Sequence, residues 1–315
     1  MEQRVQLFLE NWKKIHLFFG TDAKRSGGRM AAKLAIKGMS FSVKDYEEIV
    51  NMMKRNTKWH QKIRRSKQLQ LLYYAQFAGQ PEKVKQALAY RKHIGLGGEE
   101  TYRAAMYIKE EAQISKMKDV YKALKKKPGM RWFPIFPTLL AVLAGRPETP
   151  EEIAAAYEQY YNRLTELNWS GGKQGKLAVL LLVVGTGLFD LSVWERVGLL
   201  SKAMEEDGLD IYVYNAISLL ALAHIEPEAL PDLYALFDFI DEETDDLPGG
   251  DDLFLLATQL YTSSAVLNEM SDLDTTAIDF LDLVSSVIDG AFDVAEGSGD
   301  GGSDGGGDGG GGGGD

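Results

Sequence analysis

Residues 149–184 read TPEEIAAAYEQYYNRLTELNWSGGKQGKLAVLLLVV, and this stretch decides the fold. Thr149-Pro150-Glu151-Glu152 carries a helix start: a hydroxyl that accepts from an unpaired first-turn amide, a proline at the first helical position, and an acid that reaches back to the cap. Tyr157, Tyr160, Tyr161 and Leu164 then recur at helical spacing. A short break follows at Asn168-Trp169-Ser170-Gly171-Gly172. Leu177 to Val184 is uninterrupted apolar sequence, read as a second, fully buried helix. The stretch is one helical hairpin with a charged outer member and an apolar inner member.

The same unit recurs along the chain. A bulky apolar residue sits in the break at Trp59, Leu96, Trp132, Trp169, Leu209 and Leu247, in steps of 37, 36, 37, 40 and 38. Helix starts near 42, 80, 115, 149, 192, 231 and 271 repeat in steps of 38, 35, 34, 43, 39 and 40. Ser42, Ser192 and Ser271 each open a capping box, and Pro81 and Pro231 open two further helices. Glycine pairs at Gly97-Gly98, Gly171-Gly172 and Gly249-Gly250 fall in the breaks, where positive φ is expected. No segment alternates with period two. The expected fold is all-α: stacked helical hairpins of period about 37 residues forming an α-α superhelix or solenoid. The recurrent tryptophans are expected to pack between units. The spacing of the tetratricopeptide motif is absent.

Residues 1–296 read as one helical-repeat domain. From Gly297 to Asp315 the chain is glycine, aspartate and two serines, and is expected to be disordered for want of anything to bury. The net charge of −11 hides an asymmetry. Residues 1–150 hold 30 Lys+Arg against 13 Asp+Glu, which is +17; residues 151–315 hold 5 against 33, which is −28. Such a split implies an anionic partner for the basic half, or attraction between the halves. There is no cysteine, which excludes disulfides, zinc–thiolate sites and a catalytic thiol. The start lacks the apolar stretch of a signal peptide, and the longest apolar run falls short of the roughly 20 residues that span a bilayer. A soluble cytoplasmic protein without a membrane partner is expected.

Two basic stretches are the candidate anion-contacting residues. The first comprises Lys54, Arg55, Lys58, Lys62, Arg64, Arg65 and Lys67 around Trp59; the second includes Lys122, Lys125, Lys126, Lys127 and Arg131, just before Trp132. Cations neutralise phosphates and an indole stacks on a base. The competing reading is a solvated helix face with both indoles in the core. The acidic run 241–246 with Asp251-Asp252 does not fit an EF-hand loop. His16, His60, His93 and His224 stand far apart, which argues against zinc. Gly171 to Lys176 has the wrong spacing for a phosphate loop, and no Gly-x-Ser-x-Gly elbow is present. No catalytic residue, cofactor or metal ligand is assigned.

Several elements together resemble a known family. They are Thr101-Tyr102-Arg103-Ala104-Ala105, a Lys-rich helix, Phe136-Pro137-Thr138-Leu139-Leu140-Ala141-Val142-Leu143-Ala144, the Tyr160-Tyr161 pair and Leu167-Asn168-Trp169-Ser170-Gly171-Gly172-Lys173. Over roughly residues 20–245 this is similar to a bacterial family of uncharacterised proteins, the domain of unknown function four thousand and three. The resemblance implies an all-helical cytoplasmic protein and assigns no activity. The leading expectation is therefore a non-enzymatic interaction or scaffold protein that binds a protein or peptide on a helical-repeat surface. The alternative is an RNA- or DNA-binding repeat protein that uses the basic half. An enzyme with an unrecognised site is the third.

Overall fold

The computed structural model describes residues 1–20, 24–94, 98–208, 214–244, 247 and 250–269. Among these residues the fold is all-α, with no strand. The first hairpin is α1 (Glu2–Phe19) with α2 (Lys24–Ile36), and the second is α3 (Val43–Asn56) with α4 (Lys67–Phe77). Next come α5 (Pro81–Ile94) with α6 (Glu100–Ala105), then α7 (Glu111–Leu124) with α8 (Pro137–Ala144). The last three pairs are α9 (Pro150–Asn162) with α10 (Lys173–Thr186), α11 (Leu191–Glu206) with α12 (Tyr214–Leu222), and α13 (Leu230–Glu243) with α14 (Asp251–Glu269). Both members of every pair pack on each other.

The even-numbered helices form an inner layer. In α10 every residue from Leu177 to Val184 is buried, and in α12 every residue from Tyr214 to Ala221. Such helices read as uniformly apolar because other helices cover them on all sides. The odd-numbered helices expose one face; α3 buries only Tyr46, Ile49, Val50 and Met53, at helical spacing. Within the inner layer α2 packs on α4, α6 on α8, α8 on α10, α10 on α12, and α12 on α14. Tyr73 on α4 ties that helix to α6, its hydroxyl donating to the Tyr102 carbonyl at 2.9 Å. Then α14 packs on both α2 and α1. Each hairpin packs on the next in chain order, and the last packs on the first rather than ending an open superhelix, so the contacts close the array into a ring. An open stack would leave the apolar faces of its first and last units in water; closure buries them against each other.

The helix starts show which local signals decide. Thr149 forms the full capping box: its hydroxyl accepts from the Glu152 amide at 3.3 Å, and the Glu152 carboxylate accepts from the Thr149 amide at 2.8 Å. Ser42 caps α3. The start expected at Ser192 is corrected to Asp190, whose carboxylate accepts from the Ser192 and Val193 amides. The helix expected from 115 begins at Glu111. In the break before α10 the residue with positive φ is Asn168, not Gly171 or Gly172. Glycine is needed instead at Gly175, where a Cβ would lie 2.1 Å from the Ser170 carbonyl oxygen. The break residues Leu96 and Leu209, the start at Ser271 and the tail 297–315 lie outside the described residues.

Candidate nucleic-acid interface

Alternation of outer and inner helices sends every outer-to-inner connection to the same end of the ring. The segments 57–66 and 125–136 are two such connections, so both basic stretches share one rim, on the second and fourth hairpins. The third hairpin separates them.

The expectation that the recurrent tryptophans pack between units is corrected for two of three. Trp169 is buried, stacked on Tyr214 with ring centroids 4.3 Å apart, its indole N–H donating to Ser201 Oγ at 3.0 Å. Trp59 and Trp132 are 73% and 85% exposed. In both cases another apolar residue of the same loop anchors it. Ile63 is wholly buried in a short 3-10 turn beside Trp59; Met130 and Phe133 are buried on either side of Trp132. With the anchoring position filled, the indole is left outside.

Both loops are fixed from beneath. The Gln70 side-chain amide donates to the Ile63 and Arg64 carbonyls at 3.1 and 3.0 Å, and its own oxygen accepts from the Tyr46 hydroxyl. The Arg64 guanidinium donates to the Lys54 carbonyl. In the other loop the Lys125 ammonium donates to the Arg131 carbonyl at 3.1 Å and the Phe133 carbonyl at 2.7 Å, so it clamps the residues that flank Trp132. The Tyr157 hydroxyl donates to the Pro128 carbonyl at 3.2 Å. An arginine lies over each exposed ring: Arg65 at 6.0 Å from the Trp59 centroid and Arg131 at 5.1 Å from the Trp132 centroid.

The twelve candidate cations divide accordingly. Lys125 and Arg64 are spent on the loops' own backbone. Lys127 pairs with Glu158 at 2.6 Å, an ion pair between a basic-half and an acidic-half residue. Lys122 pairs with Asp119 at 3.2 Å in the open, an interaction worth little. Lys67 is exposed at the first position of α4. Lys54, Arg55, Lys58, Lys62, Arg65, Lys126 and Arg131 are exposed and have no acidic partner among the described residues. The surrounding sequence offers none nearby: no acid occurs between Glu48 and Glu82, or between Asp119 and Glu148. The rim thus presents two exposed indoles, each with a guanidinium over it, within a field of unneutralised charge.

Elsewhere on this rim α13 ends on exposed Asp241, Glu242 and Glu243, but no group of acids or histidines among the described residues is placed to hold a metal ion. No described helix is long and apolar enough to cross a membrane. A different set of charges went unread in the sequence: Arg29, Lys33 and Arg103 are buried on the inner helices α2 and α6. The available signal was their position inside otherwise apolar segments, such as Lys33 within Met30 to Ile36. No protein-family model, curated protein or solved structure matches this chain.

Proposed function

We propose that this protein is a non-enzymatic binder of single-stranded RNA or DNA, and that the rim bearing Trp59 and Trp132 is its contact surface. The observation that carries the reading is the repeated pair, an exposed indole with an arginine over it, at equivalent loops of two hairpins. Unstacked bases offer a π-face to an indole, and phosphates meet the surrounding cations; a sequence-tolerant stacking platform needs both parts. A protein or peptide partner is less well matched. Lysine is depleted from protein–protein contacts, whereas Lys54, Lys58, Lys62 and Lys126 are exposed and flank these tryptophans in the sequence.

The test is fluorescence anisotropy of labelled oligo-rU and oligo-dT with the full chain. Truncating one stacking residue costs about 1–3 kcal/mol, so Trp59→Ala and Trp132→Ala should each weaken binding roughly 5- to 150-fold. Removal of Lys122, already paired with Asp119, should change little. Binding of an acidic polypeptide at least as tight as that of the oligonucleotides, and unaffected by both tryptophan substitutions, would overturn the reading.

A further inference from the structure

The end of α1 and the start of α3 together leave an apolar patch in water. On α1 the buried stripe runs through Phe8, Trp12 and Ile15, and the exposed one through Glu10, Lys13, Lys14, Leu17 and Phe18, at three- and four-residue steps. Leu17 is 87% exposed, Phe18 43% and, on α3, Val43 40%. The Phe18 ring packs edge-on against Tyr46, with centroids 5.7 Å apart, and its centroid lies 6.0 Å from that of Phe41. Phe41 and Tyr46 in turn pack on Tyr74 of α4. This aromatic cluster holds the two helix ends together, and Val43 lies between Phe41 and Tyr46 in the sequence. Single exposed apolar residues are ordinary; three gathered over one aromatic cluster mark an interaction surface.

The charges beside the patch differ in sign on its two sides. One turn before Leu17, α1 carries Lys13 and Lys14, both exposed, and no acid follows Glu10 on this helix. Glu10 lies 4.0 Å from Lys14 with both side chains in the open, an interaction worth little. The first two turns of α3 carry Asp45, Glu47 and Glu48 against Lys44, all exposed. A partner of one sign would be repelled by one flank. A second copy related by a two-fold axis is not: its acidic flank faces the basic flank of the first, its basic flank faces the acidic one, and the apolar residues meet between them. A self-complementary patch of this kind pairs isologously.

We propose that this surface is a homodimer interface. Leu17, Phe18 and Val43 of two copies pack across a two-fold axis, and Lys13 and Lys14 of each copy meet Asp45, Glu47 and Glu48 of the other. The proposal is independent of nucleic-acid binding at Trp59 and Trp132.

Sedimentation velocity of the full chain tests it. A small interface associates weakly, so a monomer is expected at about 1 µM and twice that mass at about 100 µM. Leu17→Asp places a charge where the dimer buries an apolar side chain and should weaken self-association roughly tenfold or more, with helical circular dichroism retained. Lys13→Glu with Lys14→Glu gives one charge-reversed chain, and Glu47→Lys with Glu48→Lys gives a second. Each alone sets like charges together at both contacts and should stay monomeric. An equimolar mixture puts opposite charges back at both contacts and should return the dimer, an outcome that damage to either fold cannot produce. An unaltered chain that remains monomeric at the highest concentration would overturn the proposal. So would a dimer that survives Leu17→Asp, or charge-reversed chains that dimerise alone or fail to pair on mixing.

Discussion

Trp59, Trp132 and Trp169 occupy the same place in the second, fourth and fifth hairpins, yet only Trp169 is in the core. What separates them is the rest of the loop. Ile63, Met130 and Phe133 take the anchoring role where they are present, and the indole then faces water. Large-to-small replacement of a buried aromatic typically costs about 3–5 kcal/mol, whereas a surface replacement stays within about 0.5 kcal/mol. Trp169→Ala should therefore lower the thermal midpoint strongly and also orphan Ser201. Trp59→Ala and Trp132→Ala should leave the midpoint almost unchanged while weakening oligonucleotide binding. Thermal melts of the three variants side by side check this. A large drop for Trp59→Ala would mean that its indole packs rather than projects. The periodicity marked the residues; their burial was not legible because a loop with two apolar candidates does not say which one turns inward.

Helices were readable wherever a single local interaction dominates. The Thr149–Glu152 box is the clearest, and it makes stability depend on pH. The Glu152 carboxyl is held below its ordinary value by hydrogen bonds from the Thr149 amide and hydroxyl, which favour the charged form. Its contribution is thus fully present above the usual carboxylate range and is lost as pH falls through the depressed value. Thr149→Ala should lower stability by about 1 kcal/mol at neutral pH and flatten the loss of stability on acidification, read from melts at a series of pH values. Unchanged acid sensitivity would mean that the Thr149 hydroxyl adds nothing to the hold on the Glu152 carboxylate beyond the backbone amide, which the variant keeps. At α11 the serine rule pointed to Ser192 while Asp190, two residues earlier, holds the cap: both are capping residues, and a carboxylate accepting from two amides outcompetes a hydroxyl. Gly175→Ala is expected to destabilise by roughly 1–3 kcal/mol, since the added carbon would meet a backbone carbonyl that cannot rotate away.

At the scale of the molecule, the two-layer alternation was legible from apolar inner and amphipathic outer segments, but the closure of the ring was not. Closure depends on α14 meeting α1 and α2, a long-range contact that no local pattern encodes. It places α14, the last described helix of the acidic half, beside α1 and α2 of the basic half, and among the candidate cations Lys127 pairs with Glu158 of the acidic half. Exposed charges more than about 8 Å apart are screened at physiological salt, so most of the rim's positive field remains available to a partner. Deleting residues 297–315 should leave the thermal midpoint unchanged within a degree or so, because glycine and aspartate bring no apolar area to bury. A fall of more than about 4 °C, equivalent to at least ~1 kcal/mol in a chain this large, would show that the tail docks.

The central claim is that single-stranded nucleic acid lies across the rim carrying Trp59 and Trp132. Photocrosslinking of a 4-thiouridine-substituted oligonucleotide to the full chain, read by peptide mass spectrometry, tests it most directly. Crosslinks are expected in the peptides around 58–67 and 126–132, and they should fade as salt rises. Each phosphate neutralised contributes about −0.7 to the slope of log affinity on log salt, so four to six contacts give roughly −3 to −4. Crosslinks confined to the opposite rim, or none at salt low enough for any basic protein to bind, would contradict it.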